Sequence, residues 1–189
     1  MPYQIHDIRH TGPDTFPLYF LDSNALIFHL TPRKALRPNE RLYADFIDKV
    51  MALHTGGKHI EPRFVWLSLS ISEVINGWLR LDMNKQGIKD FKRLYRPSPR
   101  YRTILTQLTS DLQGYEPFVE IMDDAFTAMG CFNNLLPALT PSLDFNDLYF
   151  IEFMRKHNIA IVTHDSDFKV EDVPIITCNS PLLALKHNK

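Results

Sequence analysis

The chain has 189 residues, of which 44% are hydrophobic, and this length is sufficient for one domain with a buried core. Its 21 lysines and arginines nearly balance 22 aspartates and glutamates, so any nucleic-acid binding must come from a local patch. Because no apolar run approaches the length of a membrane span and no signal-peptide pattern opens the chain, we predict a cytoplasmic protein without membrane contact.

The two cysteines, Cys131 and Cys178, are isolated in the sequence and show neither a CxxC motif nor a zinc-type spacing. This pattern argues against a disulfide framework and fits a reducing compartment. We interpret both residues as free thiols of the core.

The N-terminal segment is polar and contains a Gly-Pro breaker, so residues 1–17 are predicted to be a lead-in without regular structure. His6 and His10 lie within it, but a metal site at that pair would need further ligands. Residues 18–21 then predict a short buried strand, and Asp22 follows directly at its carboxyl end.

A second strand-to-helix unit follows. Helical spacing of apolar residues predicts a packing helix over residues 38–54, closed by the glycines at 56–57. Residues 64–69 predict another strand, which leads into a helix that opens at Ser70. Glu73 therefore also lies at a strand-to-helix junction.

The stretch 87–102 is clearly basic and has a single acid, Asp90. Such a stretch is usually a solvated helix face followed by a proline-stiffened loop. Its interleaved arginines and tyrosines also suit single-stranded RNA, because bases stack on aromatic rings while arginines bind phosphates. The candidate RNA contacts are Arg93, Arg96, Arg100, Arg102, Tyr95 and Tyr101.

Two further helices are predicted over residues 103–113 and 116–129, each ended by a glycine. With the loop that follows, they give a helical elaboration of the sheet over about residues 85–143. A strongly apolar helix then opens at Asp144 and runs to His157, where Asn158 provides a C-terminal cap.

The apolar run at residues 159–162 lacks alternation, which indicates a strand buried on both faces. It ends in the sequence Thr163-His164-Asp165-Ser166-Asp167. A last short strand is predicted over residues 173–177, and its internal Pro174 marks it as an edge strand. The alternation of strands and helices predicts one α/β domain over residues 1–189, with a mainly parallel central sheet flanked by helices in three layers.

Four acids share one kind of position, after a buried strand or at a helix start: Asp22, Glu73, Asp147 and Asp165. In a parallel sheet they converge at one edge, where their mutual repulsion is tolerable only if cations neutralise it. Mg²⁺ or Mn²⁺ fits best because both take oxygen ligands. The predicted chemistry is hydrolysis of a phosphodiester by metal-activated water, with one or two ions.

The chain resembles the PIN-domain ribonucleases, which include the VapC-type toxins of toxin–antitoxin pairs. The resemblance rests on four motifs: Leu21-Asp22-Ser23-Asn24, Ser72-Glu73-Val74, Asp147-Leu148-Tyr149-Phe150-Ile151, and Val162-Thr163-His164-Asp165-Ser166-Asp167-Phe168. It implies an RNA substrate, a site made of the four acids, and supporting roles for Asn24, Thr163 and Asp167. The toxin version of the resemblance also implies a cognate antitoxin and a homodimer.

Several of these acids have a purely structural alternative. Glu73 lies three residues after Ser70, as in a capping box, and Asp22 could be only an N-cap. We assign Asp144 as the cap of its helix and Asp147 as the metal ligand. Asp167 serves either as a fifth metal ligand or as a turn residue. His164, which lies between Thr163 and Asp165, is either only a loop residue or a further candidate for substrate contact.

Two other functions compete with the nuclease. A non-catalytic PIN-like module would bind RNA or a protein through the long middle segment. A haloacid-dehalogenase-like phosphatase would use Asp22 as its nucleophile, but Asn24 stands where that family has its second aspartate.

Overall fold

The computed structural model describes residues 3–55, 63–141 and 143–186. Its centre is a six-stranded sheet in the order β1-β6-β5-β2-β3-β4, and every neighbouring pair of strands is parallel. The strands are β1 (Ile5–Asp7), β2 (Leu18–Leu21), β3 (Arg63–Trp66), β4 (Val119–Ile121), β5 (Ala160–Val162) and β6 (Ile175–Thr177). The predicted parallel α/β sheet is confirmed.

Helices cover both faces of this sheet. They are α1 (Ser23–Leu30), α2 (Pro38–Thr55), α3 (Ser68–Lys85), α4 (Pro99–Gln113), α5 (Phe145–His157) and α6 (Ser180–Leu185). Buried residues of α1 to α4 form one apolar core with the sheet, and those of α5 and α6 form a second core on the opposite face. The predicted three-layer arrangement is therefore confirmed.

Strand β2 illustrates why the apolar runs lack alternation. Tyr19 and Leu21 belong to the core beneath α1 and α2, whereas Phe20 belongs to the core beneath α5. All three side chains are buried, because helices exclude water from both faces of the sheet.

The crossovers diverge between β2 and β5. The chain leaves β2 towards β3 on one side, and it leaves β5 towards β6 on the other. The loops at the carboxyl ends of these two neighbouring strands therefore separate, and they leave a crevice of the kind in which α/β proteins bind ligands. Asp22 and Thr163 are the first residues beyond these two strands.

The prediction of a lead-in without structure is wrong for residues 5–7, which form β1 and pair with β6. Its single buried apolar residue, Ile5, is too little for a sequence pattern, and pairing with a distant strand supplies the order. The edge prediction for residues 173–177 is also wrong, because β6 lies between β1 and β5. Pro174 precedes the strand, where its missing N–H removes no hydrogen bond from the ladder.

The middle segment is only partly helical. The predicted helix over residues 116–129 is wrong, because β4 lies there and extends the sheet as an edge strand beside β3. Its side chains at Val119 and Ile121 are β-branched, which favours a strand. Beyond it, Gly130 adopts a φ of 67° before a short helical turn, Cys131–Leu135.

Other boundaries differ by a few residues. Helix α3 begins at Ser68 rather than Ser70, and α6 was not predicted, since six residues give little periodicity. The predicted closure of α2 at residues 56–57 lies outside the described residues. Helix α5 and its left-handed cap at Asn158 are as predicted.

Both cysteines are free, with Cys178 buried and Cys131 half-buried. The prediction of a core thiol is therefore confirmed for Cys178 but not for Cys131. In the part of the chain that the structure describes, no helix has the length and apolar character to cross a membrane.

Candidate metal and nucleic-acid site

Asp22 lies at the carboxyl end of β2 and caps α1, with only 5% of its surface exposed. Its Oδ1 accepts a hydrogen bond from the Ser23 backbone N–H at 2.7 Å. Its Oδ2 accepts one from the Thr163 hydroxyl at 2.7 Å and another from the side-chain amide of Asn24. Burial raises the pKa of Asp22 to about 6, and the negative charge of Asp165 adds to the effect, although these hydrogen bonds oppose it.

The residues after β5 are tied to the residues after β2. The backbone N–H of His164 donates to Asn24 Oδ1 at 3.1 Å, and that of Asp165 donates to Thr163 Oγ1 at 2.9 Å. Thr163 is fully buried. Asn24 and Thr163 therefore hold the two strand ends together and orient the Asp22 carboxylate between them.

Glu73 lies in the second turn of α3 and is half-buried. Its Oε1 accepts a hydrogen bond from the side-chain amide of Asn146, in the first turn of α5. The capping-box alternative for Glu73 is wrong, because α3 begins at Ser68 and the Ser70 hydroxyl accepts from the N–H of Leu67 at 3.2 Å. Burial raises the pKa of Glu73, and the bond from Asn146 lowers it.

Asp147 carries the strongest electrostatic sign of a shared acidic site. Its side chain is half-buried in the first turn of α5, and burial is the largest cause that raises its pKa to about 7. Further increases come from the negative charges of Asp144, Asp22, Asp165 and Glu73. The fold has therefore brought together acids from three helix starts and the loop after β5.

The donor set of this site fits a hard divalent cation. Its carboxylates offer only oxygen ligands, which Mg²⁺ and Mn²⁺ prefer, and a cation would offset the burial of charge and the mutual repulsion that raise the pKa values of Asp22, Glu73 and Asp147. Within residues 3–55, 63–141 and 143–186, no three His, Cys, Asp or Glu side chains lie close enough together to hold a metal ion. The four acids thus influence one another through space without forming a coordination sphere.

The sequence of the chain matches one protein family. The family model for the PIN domain matches residues 19–172, which spans β2 to the loop before β6. The chain belongs to the PIN-domain family. PIN domains are generally nucleases, so the fold is of a nuclease type, and the haloacid-dehalogenase-like alternative is wrong. A search of curated proteins finds no match to the chain.

Two acids of this PIN domain have visible structural roles. Asp144 is the N-cap of α5, and its Oδ1 accepts from the N–H groups of Asn146 and Asp147 at 2.9 and 3.0 Å. Asp167 is exposed, and its backbone N–H donates to Asp165 Oδ1 at 2.9 Å. This bond closes the turn after Asp165, and Asp167 takes part in it through its backbone while its carboxylate does not.

The basic segment of the PIN domain is partly structural. Tyr95 is fully buried and donates to Asp82 at 2.9 Å, so its ring is not accessible for base stacking, contrary to the prediction. Arg100 donates to the same carboxylate at 2.5 and 3.0 Å. Tyr101 packs edge-on against Tyr95. Arg93, Arg96 and Arg102 are among the exposed residues of the segment.

Sequence reasoning missed Asn146, although it lies between two acids that were singled out. Its partnership with Glu73 depends on how α3 and α5 pack, which no local pattern encodes. It also missed Tyr43, whose hydroxyl lies 3.1 Å from His164 Nδ1. In the sequence, nothing distinguishes Tyr43 from an ordinary aromatic core residue of α2.

Proposed function

We propose that this PIN domain is a divalent-metal-dependent endoribonuclease. The observation that carries the proposal is the buried carboxylate of Asp22 at the carboxyl end of β2 of a PIN domain, bonded to Thr163 beyond β5 at 2.7 Å. The pKa of Asp147, raised to about 7 by burial and by the charges of the surrounding acids, supports it. Repulsion between ionised side chains destabilises the folded state, so folding alone does not account for the arrangement. A site that binds cations does account for it. The proposed ligands of Mg²⁺ or Mn²⁺ are Asp22, Glu73, Asp147 and Asp165, with Asp167 as a candidate fifth.

The roles of the protein groups follow from their hydrogen bonds. Asn24 and Thr163 hold Asp22 in one orientation, and Asn146 does the same for Glu73. Asp147 accepts no described side-chain hydrogen bond, so both of its oxygens remain free for ligand binding. When bound, one or two ions would activate the attacking water and neutralise charge on the phosphodiester, so no protein nucleophile is required.

The experiment that tests this proposal is an RNA-cleavage assay with single-stranded RNA in Mg²⁺, in Mn²⁺ and in chelator. We expect cleavage with either ion and none in EDTA, because the unneutralised acids repel the phosphate backbone. Full restoration by added Mg²⁺ would serve as the control for intact protein. Cleavage that persists in EDTA would contradict the metal dependence, and the absence of cleavage under all conditions would favour a non-catalytic binding module.

RNA binding along the basic segment is a further part of the proposal. Tyr95 packs on Met83, which lies ten positions beyond Glu73 on α3, about 15 Å along the helix axis. The arginines of this segment therefore belong to a part of the chain that packs on the C-terminal half of α3, beyond the turn that carries Glu73. They are suited to hold flanking nucleotides of a longer RNA.

The double variant Arg96→Glu with Arg102→Glu should weaken RNA binding about tenfold at low salt, because two phosphate contacts become repulsive. Gel-shift titration measures this change. The matched control is Lys49→Glu with Lys156→Glu, which changes the net charge equally at other exposed positions. Equal affinities of the two double variants would remove the basic segment from the RNA path.

The resemblance to VapC-type toxins supports a narrower form of the proposal, in which the protein is the toxin of a toxin–antitoxin pair. In that form a cognate antitoxin covers the acidic crevice, and the chain forms a homodimer. Light scattering tests the dimer directly, since a mass of 22.0 kDa in solution would contradict it.

A further inference from the structure

A cavity of about 320 Å³ lies between His164 and the start of α2. Its lining residues are Arg37, Pro38, Asn39, Glu40 and His164. His164 is the direct chain neighbour of Thr163, which binds Asp22, and of Asp165. The cavity therefore adjoins the acidic site on the side of α2.

His164 is held more firmly than a loop residue requires. Its backbone N–H donates to Asn24 Oδ1 at 3.1 Å, and its carbonyl oxygen accepts from the Asn179 side-chain amide at 2.7 Å. Its ring packs edge-on against Phe28 and Tyr43, with centroid distances of 5.9 and 5.4 Å. The position of the imidazole is thus fixed from both sides.

Hydrogen bonds behind the ring determine which nitrogen carries the proton. The fully buried Thr177 hydroxyl accepts the Asn179 N–H at 2.9 Å, and its own hydrogen has one described acceptor, the Tyr43 oxygen at 3.0 Å. The Tyr43 oxygen also accepts the Cys178 N–H at 2.9 Å, so its own hydrogen is free to donate to His164 Nδ1 at 3.1 Å. With Tyr43 as the donor, Nδ1 of His164 is the acceptor, and the N–H of the ring is at Nε2.

The Nε2–H of His164 has no acceptor among residues 3–55, 63–141 and 143–186. Beside it in the cavity lining is Arg37, whose side chain is 87% exposed and lies 3.9 Å from the Glu40 carboxylate. The cavity is thus lined by two kinds of hydrogen-bond donor, an imidazole N–H and a guanidinium, and by one carboxylate acceptor. Such a set disfavours a bare cation and an apolar ligand, and it suits a ribose–phosphate group.

We propose that this cavity binds the ribose–phosphate of a nucleotide that flanks the scissile bond. His164 Nε2–H and Arg37 donate to phosphate oxygens, and Glu40 accepts from a ribose hydroxyl. This His164–Arg37 subsite rests on the proposed ribonuclease function and names the residues that place the RNA strand. Tyr43 is a positioning residue, because it acts through His164.

The test measures RNA affinity apart from cleavage, by fluorescence anisotropy of a labelled single-stranded RNA in EDTA. His164→Ala and Arg37→Ala should each weaken binding about fivefold, as expected for the loss of one solvent-accessible hydrogen bond of ordinary strength. His164→Gln should stay close to wild type, because its amide keeps an N–H donor. Matched controls are His10→Ala and Arg63→Ala, the latter at the amino end of β3 and therefore away from the carboxyl ends of the strands. In Mg²⁺, the same alanine variants should raise KM about fivefold with kcat unchanged.

The outcomes separate this inference from the nuclease proposal. Wild-type affinity and KM in both alanine variants would overturn the subsite even if the protein cleaves RNA. Equal losses in His164→Gln and His164→Ala would also overturn it, since they indicate a structural role. If no cleavage occurs but the alanine variants bind RNA more weakly than the controls, the subsite stands and the nuclease proposal fails. A wild-type protein that binds no RNA overturns both.

Discussion

Replacing Asp22 by alanine should lower metal-dependent RNA cleavage by about a thousandfold or more. Asp22 is the most buried of the four acids, and both of its oxygens are already oriented by hydrogen bonds from Ser23, Asn24 and Thr163. Such a preorganised carboxylate is difficult to replace, because another acid would have to reach the same position. Cleavage of a labelled RNA in Mg²⁺, followed over time, measures the loss.

The same substitution also removes the N-cap of α1, which costs about 1 kcal/mol of stability. Asp22→Asn separates the two effects, because an amide oxygen can still accept the Ser23 N–H while the charge is lost. We therefore expect the Asp22→Asn variant to be folded, as measured by circular dichroism, but inactive in the cleavage assay. Asp123→Ala, an exposed acid elsewhere, provides the control. An Asp22→Ala protein that cleaves RNA as fast as wild type would refute the assignment of the site.

Asp147→Asn should stabilise the metal-free protein by about 1–2 kcal/mol, equivalent to a rise in Tm of roughly 2–6 °C. The reason is that burial, followed by the negative charges of the surrounding acids, raises the pKa of this half-buried side chain to about 7. A carboxyl whose pKa is raised by folding destabilises the native state once the pH exceeds its unfolded value. The figure allows for solvent screening of a half-exposed group.

Thermal unfolding in EDTA at neutral pH measures this stabilisation. The difference between variant and wild type should shrink as the pH falls from about 7 towards the ordinary value of 3.8, and it should disappear below that value, because Asp147 is then protonated in both states. Added Mg²⁺ should raise the Tm of the wild type more than that of Asp147→Asn, since the variant lacks one proposed ligand. A lower Tm of the variant than of the wild type in EDTA would show that the charge of Asp147 does not destabilise the metal-free protein.

The sequence was informative where one strand or helix carries its own pattern. The buried run of β5 and the apolar stripe of α5 are long enough to be recognised, and the acids at their ends were found because parallel strands align their carboxyl ends. Strands β1 and β4 were not found, because neither is a continuous apolar run: His6 and Asp7 follow Ile5 in β1, and Glu120 interrupts β4. Their order comes from pairing with distant strands.

The polar partners were less accessible to sequence reasoning. Asn24 and Thr163 were named through the resemblance to PIN-domain ribonucleases, whereas Asn146 and Tyr43 contact residues that are distant in the sequence. The burial of Tyr95 was also hidden, because a tyrosine among arginines looks the same whether its hydroxyl faces water or Asp82. Side-chain partnerships of this kind depend on packing, which a single sequence does not specify.

The divergence of the chain between β2 and β5 also has a consequence for biosynthesis. Asp22 and its buried partner Thr163 are separated by 141 residues, and β5 can join β2 only after α5 has been made. During translation the half of the sheet that contains β2, β3 and β4 emerges first, and it holds Asp22 and Glu73 without their later neighbours. A ribosome-bound chain therefore carries an incomplete acidic site, and any nuclease activity begins only once synthesis has passed Asp165.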